Sequence, residues 1–124
     1  TTGQVISLST DQIAAIEATD LIGWNTAQIT VLTSRQLAAL KIAQIEELTS
    51  SQLRAITPKN ISALTTDQIV ALDEIQLAAL TTSQIALLST KQLRAIEVFD
   101  IASLNAAQII ALNSNHIKIS IIFL

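Results

Sequence analysis

Hydrophobic residues return along this chain with a period of eight. Counted in octads from Thr1, the fifth place is aliphatic throughout, from Val5, Ile13 and Leu21 through Ile69 and Leu77 to Ile109 and Ile117. The eighth place is nearly as strict: Leu8, Ile16, Trp24 and Leu32 open a series that runs to Leu112 and fails at Ser120. The seventh place is mostly Ala. The fourth is Gln in most octads, with Asp20, Asn60, Asp100 and His116 as the exceptions. A fixed period of this kind decides the architecture before any other argument. Apolar residues three apart share one face of an α-helix but point to opposite faces of a β-strand, so each octad reads as helix. One unbroken helix does not fit, because eight residues at about 100° each overshoot two turns by roughly 80° and the apolar stripe would wind around the rod.

The interruption falls at the first place of the octad. Ser9, Asn25, Thr33, Thr49, Thr57, Thr65, Asp73, Thr81, Ser89, Asn105 and Asn113 all carry an oxygen that can accept from an exposed helix N–H. With Gln three residues later, Ser9-Thr10-Asp11-Gln12 and Thr65-Thr66-Asp67-Gln68 read as capping boxes, in which the Gln reaches back to the N–H of the cap. Pro58 falls at a first helical position, where its missing N–H costs nothing. The expected fold is all-α, a solenoid of about fifteen very short helices, one per eight-residue repeat, with places five and eight buried and place one at each bend. Helices this short lie far below the roughly 12 to 15 residues needed for stability in water, so each must be held by its neighbours.

On this reading residues 1–116 form the octapeptide solenoid. Gln4, Val5 and Leu8 are already in register, as in a segment cut from a longer array. Residues 117–124, Ile-Lys-Ile-Ser-Ile-Ile-Phe-Leu, break the pattern and read as an irregular or strand-like tail. Such a tail packs over the open end of the solenoid, serves as an interface, or is foreign to the array; end-to-end self-association through exposed aliphatic surface follows if nothing covers it. A longer period overlies the octads, for Asp20, Asn60 and Asp100 replace Gln at every fifth unit. Two accounts stand open at these seams: the preceding helix runs on and the Asp or Asn starts the next, or the seams are traces of a duplicated five-octad block.

Composition narrows the functional classes. Seven basic residues against ten acidic ones, a net charge of -3, give no footprint for nucleic acid and no polybasic membrane patch. The chain has no Cys, hence no disulfide and no thiolate metal site. Half of its 124 residues are hydrophobic, yet polar residues return in every octad, and no run approaches the roughly 18 apolar residues of a spanning helix.

Candidate chemistry is sparse. His116 is the lone His, and a metal or base role would need partners that the sequence does not supply. Glu46-Glu47 and Asp73-Glu74 are adjacent carboxylates, but neighbours in a helix point about 100° apart and do not share a site as an acid/base pair would. Trp24 takes a core slot beside Gly23, which leaves room for the indole. The Ser and Thr hydroxyls are caps, with no relay to activate them. The Gln column can pair with itself or with turn backbones. No catalytic, cofactor-binding or metal residue is therefore expected, no cofactor and no small-molecule substrate. Discrimination between partners would fall on places two, three and six, where Asp11, Arg35, Glu46, Arg54, Lys59, Asp67, Lys91 and Arg94 make a mixed set with no ligand pattern along the chain.

Two resemblances follow from these residues. Thr57-Pro58-Lys59-Asn60-Ile61-Ser62-Ala63-Leu64 is similar to the first helix of TAL effector repeats, but the roughly 34-residue spacing, the second helix and the base-reading pair of that family are absent. Gln68 to Leu72 and Thr81 to Leu88 match more closely the Leu-Thr-Thr-x-Gln-Ile-x-Ala-Leu arrays of large repetitive bacterial proteins, a likeness that spans nearly the whole chain. That second resemblance implies a bacterial origin, a secreted or cell-surface setting, and a non-enzymatic scaffold that binds a protein partner or itself. Nucleic-acid recognition of the TAL type is the alternative, disfavoured by the charge balance.

Overall fold

A computed structural model describes residues 2–99 and Gln108, with side chains described up to Ile96 and at Gln108. Within them the octads fold as twelve short helices in tandem: α1 (Thr2–Ile6), α2 (Thr10–Ala14), α3 (Ala18–Leu21), α4 (Thr26–Thr30), α5 (Ser34–Ala39), α6 (Ile42–Glu47), α7 (Ser50–Ala55), α8 (Pro58–Ile61), α9 (Thr66–Val70), α10 (Glu74–Ala79), α11 (Thr82–Ala86) and α12 (Thr90–Phe99). There is no strand among the described residues. The fold is the all-α repeat solenoid that the eight-residue period predicts, and each helix from α1 to α11 lies in its own octad.

Each helix starts where the octad places its cap. At Ser9, Asn25, Thr33, Thr49, Thr65, Asp73, Thr81 and Ser89 the side-chain oxygen accepts from the N–H of the Gln three residues on, while that Gln returns its Oε1 to the N–H of the cap. In the octad of Thr81 both bonds are short, 3.1 Å and 2.9 Å. Lys41 has no acceptor to offer, so its octad keeps half of the box, the Lys41 N–H donating to Gln44 Oε1 at 2.7 Å.

The bends use extended backbone. In the octad of α5 the chain leaves the helix at Leu40 (φ -62°, ψ 133°), and α7 ends the same way at Ile56 (φ -65°, ψ 124°). The next cap continues extended, as at Thr33 (φ -80°, ψ 164°) and Thr81 (φ -74°, ψ 161°). No described residue has a positive φ, so the corners do not call for glycine. An array with two glycines can therefore bend at every octad.

The bends wind the helices into a superhelix. Every helix packs on the third one along the chain, from α1 on α4 to α9 on α12. The fifth-place residues from Val5 to Leu93 and the eighth-place residues from Leu32 to Ile96 fill its interior as one continuous core. Leu8, Ile16 and Trp24 are half-buried and packed against it.

The seams differ from both sequence accounts in part. At the first two, the helix begins at the usual place, α3 after Glu17 and α8 after Thr57, and neither cap makes a side-chain bond. Asp20 and Asn60 lie inside those helices and do not start them. These are also the shortest helices, four residues each. At the third seam the preceding helix does run on, α12 continuing through Ile96 to Phe99. Asp100, His116 and the tail 117–124 lie outside the described residues.

The glutamine ladder and the outer surface

A Gln at place four is polar, uncharged and long enough to bridge two backbones, and the superhelix uses all of that reach. While Oε1 accepts from the cap of its own octad, Nε2 donates to two carbonyls four octads earlier. Gln36 donates to Val5 and Leu8 (both 2.9 Å), Gln68 to Leu37 (2.9 Å) and Leu40 (2.8 Å), and Gln84 to Leu53 and Ile56 (both 2.7 Å). The same pair of bonds recurs at Gln44, Gln52, Gln76, Gln92 and Gln108. The eighth-place carbonyl it reaches stands at the end of a helix, where no intrahelical donor is available.

Burial follows bonding. Gln36, Gln44, Gln52, Gln68, Gln76, Gln84, Gln92 and Gln108 are buried, whereas Gln12 is exposed and Gln28 half-buried. Asn60, one methylene shorter, reaches a single carbonyl, that of Leu32, at 3.0 Å. Thr30 adds a further tie, the single proton of its Oγ1 shared between the carbonyls of Thr26 (2.8 Å) and of Ala55 on the next turn (3.0 Å). These ties join residues 25 to 31 apart in sequence, so one superhelical turn takes between three and four octads.

The paired carboxylates that invited a chemical reading lie on the outer surface. Glu46, Glu47, Asp73 and Glu74 are exposed, and Asp73 spends its carboxylate on the N–H of Gln76 at 2.8 Å. Trp24 is half-buried against the core, and its carbonyl accepts from Gln52 Nε2 at 3.1 Å. Among the described residues no group of three or more His, Cys, Asp or Glu is placed to hold a metal ion. No described helix is long and apolar enough to cross a membrane. Asp11, Arg35, Glu46, Arg54, Lys59, Asp67, Lys91 and Arg94 all face outward. The octad pattern also leaves large aliphatics outside the core at Ile6, Ile22, Ile42, Val70, Ile75 and Leu87, all but the last at places two, three and six, where small or polar residues are commoner. Their signal in the sequence is that departure from the octad.

A family model described as the ALTTAQ repeat matches residues 13–50 and again residues 45–82. The two matches begin four octads apart, the same step that separates a ladder Gln from its acceptors. No curated protein and no solved structure matches the chain.

Proposed function

The chain belongs to the ALTTAQ repeat family, and from that premise we propose that it is a non-enzymatic scaffold, a solenoid segment of a larger bacterial secreted or surface protein that spaces or binds protein partners. The observation that carries this reading is the glutamine ladder. The most regular polar side chain of the octad is consumed by the chain's own backbone, buried and bonded at both ends of its amide. Hydroxyls that another protein could use as nucleophiles are here bonded to helix N–H groups. What varies between octads lies on the outer surface, where a repeat protein meets its partners.

The test is growth in one dimension. Duplication of residues 33–64, four octads, should lengthen the particle by about one superhelical turn with its cross-section unchanged, read by small-angle X-ray scattering. A particle that grows in cross-section instead would overturn the spacer reading. A gel shift at physiological salt with duplex and single-stranded DNA addresses the alternative carried by Thr57 to Leu64. Saturable retention there would replace the scaffold with a nucleic-acid module.

A further inference from the structure

The exposed charges, mixed along the chain, are sorted in space. All acidic residues up to Ile96 stand on α2, α3, α6, α9 and α10 or at their caps: Asp11, Glu17 and Asp20, then Glu46 and Glu47, then Asp67, Asp73 and Glu74. These five units form one flank. The α6 helix packs on α3 and on α9, its Gln44 bonds to Ile13 and Ile16 beside α2, and Gln76 of α10 bonds back to Ile45 and Leu48. Basic residues stack beside this flank, Arg35 on α5, Lys59 on α8, and Lys91 and Arg94 on α12, with α5 packing on α2 and α12 on α9, while Arg54 stands on α7, which packs on α10. There α8 packs on α5, and Gln92 ties α12 to Ile61 and Leu64. Lys41, at the cap of α6, is the one basic residue on the acidic flank.

A second observation falls on the same flank. Of the six large exposed aliphatics among the described residues, four lie on its units: Ile22 (41% exposed), Ile42 (42%), Val70 (44%) and Ile75 (74%). Carboxylates interspersed with bare aliphatic side chains suit a surface that offers cations on long apolar stems, since Lys and Arg lay their methylenes on apolar surface and keep their heads in water.

We propose that this flank docks a second copy of the chain, side by side, through that copy's Arg35, Lys59, Lys91 and Arg94. The pitch of the superhelix supplies the register. Acidic groups recur once per turn on one copy, basic groups once per turn on the other, and the two copies share the same turn. A lone exposed ion pair contributes little, but a row in matching register adds up and sets orientation. Because the two flanks differ, the contact is heterologous. Each docked copy keeps one flank free, and association continues laterally. The proposal deepens the scaffold reading by naming a partner, and the two fail separately, since a chain that never associates can still lengthen turn by turn.

Sedimentation velocity on the full chain tests it. Larger species should form at about 20 mM salt and dissociate by about 300 mM, the apparent association constant falling roughly tenfold or more as screening shortens the reach of each charge. Reversal of the acidic flank (E46K, E47K and E74K together) and of the basic flank (R35E, K59E and R94E together) should each give a monomer with unchanged helical circular dichroism, these positions being exposed. Mixing the two variants should restore association at low salt. Three results overturn the proposal: a wild-type monomer at low salt, association that holds or strengthens with salt as contact through the apolar 121–124 segment would, or reversed chains that fail to pair on mixing. A chain monomeric at low salt that binds heparin would assign the basic flank to a polyanion instead.

Discussion

At the scale of single residues, the amide of Gln84 connects backbones of octads far apart in sequence. It is fully buried, accepts from Thr81, and donates to Leu53 and Ile56. Gln84→Ala removes all three partners at once in a dry interior and should cost about 2 to 4 kcal/mol in urea unfolding. Gln84→Glu keeps the shape but cannot donate, and at neutral pH should cost at least as much. Gln12→Ala loses only an exposed capping box and should cost about 1 kcal/mol or less. Equal losses at the two sites would contradict the ladder. The half of this arrangement that was legible in the sequence is the half inside one octad, because Ser9 and Gln12 or Thr65 and Gln68 meet across three residues. The other half was not, since a period of eight does not encode how many octads fill a superhelical turn. Pairing of the amides with turn backbones was foreseeable from the column of Gln; the four-octad step was not.

At the scale of the element, these helices are too short to stand alone, so their ends matter more than their interiors. Thr65→Ala should cost about 1 kcal/mol, because its hydroxyl accepts from Gln68 at 3.1 Å, whereas Thr57→Ala, with no such bond, should cost less than about half of that. Leu72→Ala, in the core, should cost roughly 2 to 5 kcal/mol, and Lys91→Ala, exposed, stay within about 0.5 kcal/mol. Thermal unfolding of the four variants checks the ranking, and a Leu72 variant as mild as the Lys91 one would contradict the burial of place eight. Burial of places five and eight was legible because three-residue spacing admits only a helical face. The seams were not, because a short Asp or Asn at place four changes the tie between turns and leaves the start of the helix where it was.

At the scale of the whole molecule, the ties that hold one turn on another span 28 to 31 residues at the Gln ladder. A four-octad peptide, residues 33–64, contains each of its capping boxes but none of its ladder bonds, whose donors or acceptors all lie outside it. It should therefore show a disordered circular dichroism spectrum at temperatures where residues 2–96 remain helical. A folded 33–64 peptide would mean that caps and nearest neighbours suffice, and that the ladder is an ornament of the fold rather than its fastening.

The ladder also bears on how such a gene can change length. Each Gln recognises main-chain carbonyls, which every residue carries, and is blind to the side chains of the octad it reaches. Replication slippage that adds or removes a whole octad therefore delivers a fresh but equivalent pair of acceptors to every downstream amide. Loss of a single codon does the reverse where it falls, breaking the register of the octad it strikes and changing by one residue the spacing of the ladder bonds that cross it, while the frame of translation is kept. The array is thus open to copy-number change in steps of eight residues and closed to smaller ones, so alleles of different length should differ by multiples of twenty-four bases.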